Sequence, residues 1–71
     1  VRNEALEAIT DEYVLKCREW RQLTDSDKRG TSGLALRRMC EDLWSQMNDI
    51  DHQACQTEHM SPEKMFAGYP E

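Results

Sequence analysis

The chain has 71 residues, 14 of them acidic and 9 basic, for a net charge of −5, and only 7% are aromatic. A single domain of this size buries little surface, and its core rarely supplies more than about 3–5 kcal/mol. No apolar run approaches the ~20 residues that span a bilayer, and no stretch has the order of a secretory leader, so a cytoplasmic protein with no membrane association is expected. The acidic balance argues against nucleic acid as a main partner.

Helix 1 is predicted from about Asn3 to about Leu23. Asn3 can accept a hydrogen bond from a free amide of the first turn, and Glu4 and Glu7 sit where the helix dipole favours negative charge. Leu6, Ile9, Tyr13, Trp20 and Leu23 follow a three-and-four spacing, with Cys17 standing in beside Lys16. Such a stripe marks a helix laid against another helix. The polar stretch from Thr24 to Thr31 then reads as a loop, because short polar side chains compete for backbone hydrogen bonds and Gly30 and Gly33 tolerate positive φ.

Helix 2 is predicted over about 32–57, with Thr31 or Ser32 as its cap. Leu36, Cys40, Leu43, Met47, Ile50 and Ala54 form its seam, flanked by Met39 and Trp44. The order Ser61-Pro62-Glu63-Lys64 is a further helix start, since serine caps and a first-turn proline gives up no hydrogen bond. Residues 61–71 are therefore expected to be a short C-terminal helix or a tail that orders on a partner.

A short polar connection between two striped helices predicts an all-α fold. Residues 1–60 are expected to form an antiparallel helical hairpin that dimerises into a four-helix bundle. Sliding the stripes together pairs Trp20 with Leu36, Tyr13 with Leu43, Ile9 with Met47 and Leu6 with Ile50, and sets Cys17 near Cys40. Val14, Leu15, Met39, Trp44, Met65 and Phe66 then fall outside the seams. They are the candidate surface for a second copy or a larger protein, with Trp44 as the leading anchor. Residues 16–38 hold seven basic and three acidic side chains, a net +4, which leaves −9 for the rest. Two hairpins packed antiparallel would bring Arg37 and Arg38 of one towards Asp49 and Asp51 of the other.

Chemistry-bearing constellations are sparse. His52, Cys55 and His59 have the only metal-like spacing, but the first and last lie about 10 Å apart along a helix, so they are weak ligand candidates and no cofactor is expected. The odd count of three cysteines suits free thiols in a reducing compartment, with Cys17 and Cys40 as small core side chains that an oxidant could link. Gly30-Thr31-Ser32-Gly33 lacks the lysine and preceding strand of a phosphate loop, and nothing supports a catalytic triad or carboxylate pair. Lys28, Arg29, Arg37 and Arg38 form the best anion-facing patch. The expected function is thus that of a non-catalytic adaptor or inhibitor of a larger regulatory protein or enzyme. The alternatives are a dimeric nucleic-acid-associated regulator using the basic loop end, and an acidic mimic of nucleic acid.

Overall fold

A computed structural model describes residues 3–69, and the elements there are helices: α1 (Glu4–Arg21), α2 (Asp25–Arg29), α3 (Thr31–Glu58) and α4 (Pro62–Met65). The fold is all-α. Among the described residues, no helix is long and apolar enough to cross a membrane.

The caps explain where helices begin. The Asn3 side chain accepts from the Leu6 N–H at 3.1 Å, and Arg18 and Arg21 close the last turn of α1 where a dipole favours positive charge. The expected loop over 24–31 instead contains α2. Thr24 accepts from the Asp27 N–H at 3.2 Å, Asp25 and Asp27 fill the first turn, and Lys28 and Arg29 the last. One threonine cap with matched end charges suffices for a single short helix once α3 supports it. Gly30 is extended (φ −94°, ψ −165°) and serves as both the end of α2 and the start of α3. No glycine has positive φ among the described residues. Gly33 is needed for proximity: a Cβ there would lie 2.1 Å from the Lys28 carbonyl oxygen.

α1 and α3 lie side by side with opposed chain directions. The Cys17 and Cys40 sulfurs are 4.0 Å apart, and the Tyr13 and Trp44 ring centroids 5.5 Å. The expected seam does not run to Ala54, however. Asp51 is non-helical (φ −151°, ψ 89°), and its carboxylate accepts from the Ala54 N–H at 3.1 Å, capping a fresh helical segment. Gln56 donates across the break to Asn48 Oδ1 at 3.1 Å. A straight helix would carry Met60 about 24 Å beyond Trp44. Instead the Met60 carbonyl accepts from the Tyr13 hydroxyl at 2.6 Å, on the same ring that meets Trp44. The chain has doubled back.

The returning segment fills the groove between α1 and α3. Ser61 caps α4 by accepting from the Lys64 N–H at 3.4 Å, with Pro62 in the first turn. Phe66 then meets Trp20 edge-on at 4.8 Å, and Tyr69 meets it at 5.0 Å. The buried core is Tyr13, Cys17, Trp20, Cys40, Met47, Cys55 and Phe66. Ile50, an expected seam residue opposite Leu6, is 37% exposed, while Leu6 shares a surface cleft with Glu58.

Candidate functional site

Three places collect side chains that could act on another molecule. The first is the end of the rod around α2. Lys28 Nζ lies 4.7 Å from the Trp20 ring centre and 5.5 Å from that of Tyr69. The Arg29 guanidinium is 5.1 Å from Tyr69, and that of Arg37 is 5.3 Å from Phe66. Arg37 also donates to the Tyr69 carbonyl and, at 3.2 Å, to Glu41. The Tyr69 hydroxyl donates to Asp25 at 3.1 Å, and this bond raises the phenol pKa. Three of the four expected anion-facing cations therefore converge, but on rings of their own chain. A cation over a ring gains about 0.5–1 kcal/mol at exposed sites. Arg38 stands apart, beside Met39, Asp42 and Ser45.

Tyr69 and Trp20 were not among the expected site residues. The signal was present: Phe66 and Tyr69 lie three residues apart just beyond the Ser61-Pro62 start, and the loop end supplies cations to receive them. Phe66, expected to face a partner, is 1% exposed in this chain's own core, and Met65 packs half-buried against it. Trp44, the expected anchor, is half-buried against Tyr13 and beside Ser61 and Pro62. The tail takes part of the surface that had been assigned to another molecule, while Val14, Leu15 and Met39 stay exposed.

The second place is a cleft of about 210 Å³ between α1 and the returning segment, walled by Cys17, Arg18, Arg21, Glu58, His59 and Met60. Cys17 is 7% exposed, and Cys40, directly behind it, is wholly buried. The Cys40 S–H beside it holds the Cys17 thiol down to about 7, with Arg21 assisting and burial opposing. Cys40 is driven the other way by the same neighbour and by burial. Cys55, one of the weak ligand candidates, is also buried, which raises its thiol pKa. His59 rests edge-on against Tyr13 at 6.3 Å, while His52 is exposed. No three His, Cys, Asp or Glu side chains are grouped as metal ligands among the described residues.

Tyr13 ties the cleft together. Tyr13→Phe strands the Met60 carbonyl, and the loss is expected to be about 1 kcal/mol. The urea midpoint should fall accordingly; an unchanged midpoint would mean that this bond does not hold the returning segment.

The third place is the opposite side of the α1–α3 pair. The returning segment shares one cleft with Arg18 and Arg21 of α1 and another with Arg37, Glu41 and Trp44 of α3, while Val14 stays 39% exposed. At about 100° per residue, the other side of α3 then carries Leu36, Met39, Leu43, Gln46 and Ile50, and that of α1 carries Ile9, Lys16 and Leu23. Leu36 and Leu43 pack only partly on the core, Met39 is 48% exposed and Ile50 37%. Lys16 pairs with Glu19 at 3.4 Å. These α3 residues repeat at three- and four-residue steps, so α3 has a second stripe beside the one buried inside the chain. Leu15, on the far side of α1, is 47% exposed. No protein family, characterised protein or solved structure proved detectably similar to this chain.

Proposed function

We propose that this chain is a small helical interaction module without catalytic activity. It pairs with a second copy through the outer stripe of α3, and as that dimer it serves as an adaptor or inhibitor of a larger regulatory protein or enzyme. The observation that carries this reading is the stripe Leu36, Met39, Leu43 and Ile50, apolar at every step but Gln46 and left uncovered by the returning segment. Apolar residues at these steps pack well against another helix, and a two-fold pairing is the commonest way to supply one.

Charge favours a second copy as occupant. In an antiparallel pairing, Leu36 faces Ile50 of the other copy, and Arg38, at the margin of the contact, comes level along the axis with the other copy's Asp49. The stripe stops at Ile50, where α3 breaks, so the paired length is the straight part of the helix. Leu15 stays outside this contact and is the surface left for the larger partner. The loop-end cations lend less support to a nucleic-acid regulator, since Lys28, Arg29 and Arg37 lie on the chain's own rings.

Light scattering on the eluting protein is expected to give twice the 8.3 kDa chain mass. Met39→Glu with Ile50→Lys should give a monomer of unchanged helix content, because both side chains are already partly exposed. Arg38→Glu should weaken the dimer, and adding Asp49→Lys should restore it. A wild-type monomer at high concentration, or no rescue by the charge exchange, would remove the proposed pairing.

A further inference from the structure

We propose that Cys17 and Cys40 form a thiol–disulfide exchange site that takes a small, anionic, low-molecular-weight disulfide of the glutathione type into the cleft beside Cys17. Geometry carries this inference. Two thiols from different helices stand 4.0 Å apart. One of them opens on a cleft, and the other is closed off behind it at 0% exposure. That difference fixes the order of events: of the two thiols only Cys17 lines the cleft and meets the incoming sulfur, and Cys40 stands within reach of Cys17.

The cleft selects by charge. Arg18 and Arg21 wall it, against one carboxylate, Glu58. An anionic tripeptide disulfide meets cationic donors there. The lowered Cys17 pKa supplies thiolate at neutral pH, which is the attacking species.

In the first step the Cys17 thiolate attacks one sulfur of RS–SR. The S–S bond breaks, RS⁻ leaves and is protonated by solvent, and a Cys17–S–S–R mixed disulfide forms. In the second step the Cys40 sulfur attacks Cys17 Sγ, and the proton it gives up is taken by the departing RS⁻. The mixed disulfide breaks and the second RS⁻ leaves as RSH. The two protein thiols lose two electrons and two protons, the small disulfide becomes two RSH, and a Cys17–Cys40 bond joins α1 to α3. The site is stoichiometric: excess RSH runs the steps backwards.

The test is to incubate the reduced full chain with glutathione disulfide at pH 7, quench with an alkylating agent in denaturant, and map the peptides. Wild type is expected to bridge Cys17 to Cys40, to retain no glutathione, and to leave Cys55 alkylated. Cys40→Ala should hold glutathione stably on Cys17, and Cys17→Ala should acquire neither adduct nor bridge over the same time. Should Cys40→Ala lose helix content, Cys40→Ser keeps the volume and is read in the same way. Cystamine, a cationic disulfide, should react several-fold more slowly at low salt. A lasting adduct on wild-type Cys17, equal oxidation of Cys17→Ala, a bridge to Cys55, or equal rates with cystamine would each overturn the proposal.

Discussion

Phe66→Ala is expected to leave the chain largely without fixed tertiary structure at room temperature. Phe66 is 1% exposed, and its ring meets Trp20 edge-on at 4.8 Å. Truncating a buried phenylalanine costs about 3–5 kcal/mol. The total core contribution in a domain this small is itself only about 3–5 kcal/mol. One substitution near the C-terminus therefore removes most of the margin. The readout is urea unfolding followed by tryptophan fluorescence, which reports on Trp20 in the core and Trp44 packed against it. Met60→Ala is the control: Met60 is 54% exposed, and such surface changes stay within about 0.5 kcal/mol. If both variants unfold at the wild-type urea concentration, the tail is not part of the core.

Gly33→Ala is the second large effect, and here two terms oppose each other. Alanine favours a helix over glycine by about 0.8–1 kcal/mol. The new Cβ, however, would stand 2.1, 2.5 and 2.6 Å from the Lys28 O, C and Cα. All three are backbone atoms, so no side chain can swing aside and α2 as a whole must move. Overpacking of this kind costs about 1–3 kcal/mol and occasionally more. Moving α2 also lifts Lys28 off Trp20 and Arg29 off Tyr69, so the clash outweighs the propensity gain. A net loss near 2 kcal/mol lowers the thermal midpoint of a domain this size by about 8–16 °C. Gly68→Ala should leave the midpoint within about 2 °C, because nothing lies within 4 Å of a Cβ there. A Gly33→Ala variant as stable as wild type would mean that α2 does not sit on α3.

Local chemistry was legible where one residue type has one reading. Asn3 before two glutamates, and serine before proline, each started a helix where expected. Thr24 was a subtler signal, because a cap with only a few residues after it reads equally well as a turn. Asp51 was subtler still. An aspartate in a long striped segment is indistinguishable from a solvated helix residue until its carboxylate is seen on the Ala54 N–H. The candidate cations were found by composition. Their partners were not, because the contact between Lys28 and Tyr69 joins residues far apart in the chain.

By itself, then, the sequence determined that this protein is helical and where α1 and α4 start; its stripes allowed, without fixing, the register that sets Cys17 beside Cys40. Each of these follows from caps and periodicity, which act within a few residues. Only the tertiary structure decided which way α3 is turned. A three-and-four stripe marks a broad arc of helix surface, and any partner within that arc satisfies it. The returning segment, anchored by Phe66 and Tyr69, lies on the side of Arg37 and Trp44, and so leaves Met39 and Ile50 exposed beside the half-buried Leu36 and Leu43. That choice depends on contacts between the last residues and the first helix, and no local pattern encodes it.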